Sequence, residues 1–139
     1  MADPQFQDGF FLKFFQYIAN FAFVASATIV QTIQIDSDAD FELYWLEGSR
    51  DNALVTIEVT EGGAGGVAWS SAPVNIDNFL GTAQLPFPVG LIPQLLPKKR
   101  IYTIRAVNTS GGANNVQIAF TGYKRYPGTM QLGISQVAA

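Results

Sequence analysis

Several runs of this sequence alternate apolar and polar residues with a period of two, the spacing of strands that put one face in a core and one face outward. Val55, Ile57 and Val59 face one way and Thr56, Glu58 and Thr60 the other. Val116, Ile118 and Phe120 oppose Gln117, Ala119 and Thr121, and Tyr102 and Ile104 oppose Thr103 and Arg105. In Phe41 to Leu46 the same reading turns Phe41, Leu43 and Trp45 inward and Glu42, Tyr44 and Leu46 outward. Further strands are expected near Tyr17–Val24, Thr28–Ile35 and Val67–Ile76, with Phe10–Asn20 the one place for a short helix.

Turn chemistry separates these runs. Asp36-Ser37-Asp38-Ala39-Asp40 offers Asx-type turns, and Glu47 to Asn52 and Ser110 to Asn115 read as hairpin loops. Gly62 to Gly66 is a loop free to approach a partner closely. Many short strands with little helical periodicity predict an all-β chain, a two-sheet β-sandwich of jelly-roll type. The 139 residues suit one such domain over 1–139, with arms at 1–9 and 127–139 that are either loose in the free protein or ordered on assembly. Residues 84–100 carry Pro86, Pro88, Pro93 and Pro97, which forbid helix and central strand, so they should run extended along a sheet edge. Their apolar side chains either pack on the sandwich itself or are presented to a partner.

Composition removes most chemistry. The chain has no histidine and no cysteine, which excludes imidazole or thiolate metal sites, Ser-His-Asp and Cys-His catalysis, and disulfides. Glu42, Glu47, Glu58 and Glu61 sit at outward strand positions or turns, where carboxylates are normally just solvated, so no enzyme is expected. Gly62 to Gly66 lacks the lysine and helix of a phosphate loop, and no cofactor is expected. A net charge of −3 without a basic stripe argues against nucleic acid.

The uncharged stretch 14–35 is long enough to raise a membrane span. Gln16, Asn20, Gln31 and Gln34 interrupt it, its second half favours strand, and no basic cluster flanks it. Lys13, the apolar run to Val24 and Ala25-Ser26-Ala27 imitate a secretory signal, but the preceding residues are acidic, with Asp3 and Asp8. Synthesis in a reducing cytoplasm fits the absence of cysteine. Asp36, Asp38, Asp40 and Glu47 copy part of a calcium-loop spacing, yet Phe41 stands where that loop needs glycine, which favours a plain acidic turn.

What remains is a surface for protein. Only 14% of residues are charged while 48% are hydrophobic, and an average soluble domain has about 25% charged. Candidate anchors are Phe6, Phe10, Phe11, Phe87 and Leu91, with Lys98, Lys99 and Arg100 as a polar rim or, alternatively, as charges that keep a strand start from mispairing. Trp45 is expected in the core and Trp69, beside the glycine loop, at the surface.

Three stretches carry a family likeness: Ile35 to Phe41; Gln84-Leu85-Pro86-Phe87-Pro88 continuing to Leu95-Leu96-Pro97-Lys98-Lys99; and Asn114 to Lys124. They resemble the cement, or decoration, proteins encoded beside the major capsid protein in tailed bacteriophages. The resemblance implies a jelly-roll-like fold on the outside of an expanded icosahedral shell in the virion, pairing as a homodimer and bridging major capsid subunits, with no catalytic residues. The alternative expectation is a virion surface carbohydrate- or receptor-binding β-sandwich.

Overall fold

The computed structural model describes residues 10–62, 66–81, 87–90 and 92–127, so the expected arms, with Phe6, lie outside the described residues apart from Pro127, and so does Leu91. Among the described residues ten strands run in chain order: β1 Phe10–Phe23, β2 Thr28–Gln34, β3 Asp40–Arg50, β4 Val55–Glu61, β5 Val67–Ala68, β6 Val74–Asn75, β7 Phe87–Pro88, β8 Gln94–Leu96, β9 Ile101–Asn108 and β10 Asn114–Pro127. A 3-10 turn, Ile76–Asn78, follows β6. One sheet is ordered β1-β10-β3, with β7 and β8 on the far side of β3; the other is β2-β9-β4, with β5 and β6 on the far side of β4. All these pairings are antiparallel. From β1 to β4, and again from β8 to β10, each strand crosses to the sheet opposite its predecessor. That alternation is the jelly-roll order of a β-sandwich.

The alternating runs supply the core between the sheets. Phe21, Phe41, Leu43, Ile57, Tyr102, Ile104, Ile118 and Phe120 are all buried there. Each such side chain removed from water contributes about 1.5–3 kcal/mol before chain entropy is counted. Tyr102 is an exception in one respect, because its hydroxyl is buried with no hydrogen-bond partner among the described residues and burial pushes its pKa up to about 12.

Two expectations are corrected. Phe10–Asn20 is no helix: β1 pairs with β10 residue by residue from Phe10 opposite Pro127 to Phe23 opposite Asn114. Aromatic residues occupy both faces of its first half, which blurs the alternation while still favouring strand. The expected strand over Val67–Ile76 is broken into the short β5 and β6, separated by the irregular Trp69–Pro73. The proline-rich segment does follow an edge, since β7 and β8 both pair with β3.

A further correction, which bears on the site, concerns Trp45. Across β10, Thr121 faces Trp45 and Gly122 faces Leu43, so Tyr44 has no partner and forms a β-bulge. The extra residue shifts the alternation: Leu43 and Leu46 point into the core, and Tyr44 and Trp45 are both half-exposed on the outside. Gly122 permits this, because a Cβ there would collide with the Glu42 backbone carbonyl. Gly122→Ala should therefore destabilise the protein by about 2 kcal/mol, measured as a lower urea midpoint. Tyr102→Phe, which removes the orphaned hydroxyl, should leave the midpoint unchanged or raise it by up to about 1 kcal/mol equivalent.

Candidate functional site

The even-numbered residues of β1 point away from the core on the strand that borders its sheet. Phe10, Leu12, Phe14 and Ile18 are 43%, 40%, 55% and 43% exposed. Register places them beside Pro127, Arg125, Tyr123 and Ala119 of β10, and the bulge adds Tyr44 and Trp45 from β3. The rings form a continuous series across three strands. Phe14 meets Tyr123 at 5.9 Å and 77°, Tyr123 meets Tyr44 at 5.2 Å and 83°, and Tyr44 lies 5.2 Å from Trp45. Most neighbours meet edge to face, a packing that fills volume against another protein but offers no flat row of ring faces for a glycan chain.

The outer face of the other sheet has a different chemistry. Thr32, Thr103 and Thr60 lie opposite one another in one cross-strand row, and Val30, Arg105 and Glu58 form the next.

Charge gathers at the end of the sandwich where β1 begins and β10 ends. Six of the eight basic residues stand there: Lys13, Lys98, Lys99, Arg100, Lys124 and Arg125. So do Asp36, Asp38, Asp40, Glu42 and Glu61. Lys124 is buried, with Nζ donating to Asp36 Oδ2 at 2.8 Å and to Asp38 Oδ1 at 3.2 Å while resting 4.3 Å from the centre of the Phe15 ring. The Tyr126 hydroxyl donates to Asp38 Oδ2 at 2.7 Å. Asp40 accepts from the Lys98 backbone N–H at 2.9 Å. The acidic turn thus has an ammonium where the sequence spacing raised calcium, and the described residues contain no group of three side chains arranged to hold a metal.

Burial lowers the Lys124 pKa, but its hydrogen bonds to Asp36 and Asp38 outweigh that and hold the pKa above the ordinary lysine value. The Tyr126 hydrogen bond lowers the Asp38 pKa; burial opposes this and Lys124 reinforces it.

Of the expected anchors, Phe10 begins the exposed row beneath the Arg125 guanidinium, 4.0 Å from its ring centre. Phe11 turns to the opposite face and stacks on Tyr126 at 5.0 Å. Phe87 lies in β7 opposite Leu46, and its side chain is outside the described residues. Lys98 and Lys99 are exposed in the turn before β9, with Lys99 at a left-handed φ of 68°; Arg100 pairs with Glu61 at 3.0 Å. The fold therefore brings Phe10 and the Lys98 to Arg100 turn to one end. Leu12, Phe14, Ile18, Tyr44, Trp45 and Tyr123, which the fold adds to this face, were not among the expected anchors. Extending the β1 alternation back to Phe10 would have found the first three; the bulge hid the tryptophan. Trp69, expected outside, instead packs over the core, 5.5 Å from Phe120, with Nε1 donating to Glu61 Oε2 at 3.3 Å. It lines a cleft of about 420 Å³ at the far edge of the sandwich with Phe79, Ser70, Asn78 and Gln94.

No protein-family model and no curated protein matches the chain. Among solved structures it is similar to one described as infectious bursal disease virus Gx strain, at 19% identity and a TM-score of 0.36, over 88% of this chain and 34% of that one. It is similar to TmCBM61 in complex with beta-1,4-galactotriose at 17% identity and a TM-score of 0.32, over 89% and 78% of the two chains. The infectious bursal disease virus VP2 subviral particle follows at 12% and 0.29, over 87% and 43%. The chain thus spans about a third of the first structure's length. No helix among the described residues is long and apolar enough to cross a membrane.

The ion cluster gives a pH signature. Asp38 titrates below its ordinary value when folded, so its contribution is complete above about pH 4 and is lost as pH falls through the folded value. Lys124→Met should lower the urea midpoint at neutral pH, and the gap from the parent protein should narrow as the pH is taken from about 6 to about 2.5.

Proposed function

We propose that this chain is a structural virion protein without enzymatic activity, which binds the outside of an assembled tailed-phage capsid and bridges neighbouring major capsid subunits. The sequence resemblance within that class is to the cement protein of a Bordetella-infecting podovirus. The observation that carries the proposal is the exposed apolar row Phe10, Leu12, Phe14 and Ile18, continued by Tyr123, Tyr44 and Trp45 on a protein whose opposite outer face is threonine-rich. Rigid aromatic anchors of that kind dominate protein interfaces. The Lys98 to Arg100 turn at the same end supplies a polar rim for an acidic neighbour. A protein that binds only the assembled lattice stabilises it by mass action, and many weak contacts then act together.

Phe14→Lys with Ile18→Lys should weaken binding to purified empty shells at least tenfold by co-sedimentation, with the melting temperature little changed. Thr32→Lys on the opposite outer face should bind like the parent. Equal binding by all three proteins, or shells that resist heating equally well without the protein, would refute the proposal.

The second reading, a carbohydrate- or receptor-binding module of the virion surface, has the Trp69 cleft in its favour. That cleft joins an aromatic wall to the neutral polar groups of Ser70, Asn78 and Gln94. A glycan-array signal lost in Trp69→Ala and kept in Phe14→Lys would favour it over the capsid reading.

A further inference from the structure

The sandwich has four lateral edges, and three are blunted in ways that natural sheets use against unwanted pairing. Beside β3 the edge is broken into β7 and β8 and contains Pro88. Beside β4 it consists of two-residue strands. The β2 edge is seven residues long and lies along β1, where Gln31 Nε2 donates to the Asn20 carbonyl at 3.1 Å. The fourth edge is β1 itself. From Phe10 to Ile18 it has no proline, and the outward positions Phe10, Leu12, Phe14, Gln16 and Ile18 have no charge. Among the described residues no hydrogen bond other than the β10 ladder reaches the backbone of that stretch.

We infer that this open edge receives residues 128–139 of a second copy of the chain as an added strand. The position is suggestive first: β10 ends at Pro127, opposite Phe10, so the segment leaves the sandwich where the open edge starts. Its length fits, because twelve extended residues reach about 40 Å and the open stretch from Phe10 to Ile18 spans about 30 Å. Its composition fits as well. Gly128 to Ala139 has no charge and no proline, and Met130, Leu132 and Ile134 alternate with Gln131, Gly133 and Ser135, a period of two that suits a strand with one side against the apolar β1 face. In its own molecule the segment would have to turn round the start of β1 to reach that edge. The equivalent edge of a neighbour has no such obstacle.

The inference needs no shell, so it is tested on the free full-length protein and stands or falls apart from the capsid reading. Hydrogen exchange should show the amides of the Phe10 to Ile18 edge protected at least tenfold more in the full chain than in a chain ended at Pro127. Light scattering should find the full chain associated and the shortened chain monomeric. Leu132→Asp with Ile134→Asp in the full chain should act like the truncation, and a synthetic peptide of residues 128–139 should restore protection to the shortened protein. Edge protection unaffected by truncation and by the double substitution would overturn the inference. So would protection that depends on the segment in a chain that stays monomeric at every concentration, which would mean the strand folds back on its own molecule.

Discussion

The antiparallel ladder between β1 and β10 governs everything that gives this molecule a surface character. It holds fourteen residues of each strand in one register, and sheet register is unforgiving: a slip of one position exchanges every inward side chain for an outward one. In the observed register Tyr17, Ala19, Phe21 and Phe23 close the core, and Phe10, Leu12, Phe14 and Ile18 are left to the outside. The same ladder brings Lys124 under the Asp36 to Asp40 turn and draws the ends of β1 and β10 together with the basic turn before β9. Core burial fixes the register, and the register then dictates where apolar area is left over.

The bulge at Tyr44 adds to that surplus. A regular β3 would have buried Trp45; one unpaired residue instead puts two large aromatic side chains on the exterior, next to Tyr123 and Phe14. Its enabling partner is Gly122, the residue whose missing side chain leaves room for the Glu42 carbonyl. Bulges commonly sit where a sheet must re-aim a side chain, and here the re-aimed side chain extends the apolar face.

Much of the fold was legible in the sequence because burial imposes a period on strands. Val55 to Thr60, Tyr102 to Arg105 and Val116 to Phe120 show it plainly, and the prolines of 84–100 place that segment at an edge. Less legible were the features that depend on residues distant in sequence. The outward turn of Trp45 depends on Gly122, and the counter-ion of the acidic turn is Lys124, which lies far from Asp36 along the chain. Phe10 to Phe15 hid its strand because apolar residues occupy both faces, one packing on the core side and the other left exposed. Of the expected anchors, Phe10 stands on the exposed row, while Phe11 is turned to the opposite face and stacks on Tyr126.

The contrast between the two outer faces has a consequence for growth. The β1 face carries a run of aromatic and aliphatic side chains, while the opposite face mixes the Thr32, Thr103 and Thr60 row with the row of Val30, Arg105 and Glu58, so the body has two unlike sides. If such bodies attach by the aromatic side, as proposed, the exterior they leave is this mixture of hydroxyls, charges and Val30, with no row of aromatic rings for the next arrival to grip. On the proposed reading, a coat one molecule thick would need no separate terminator.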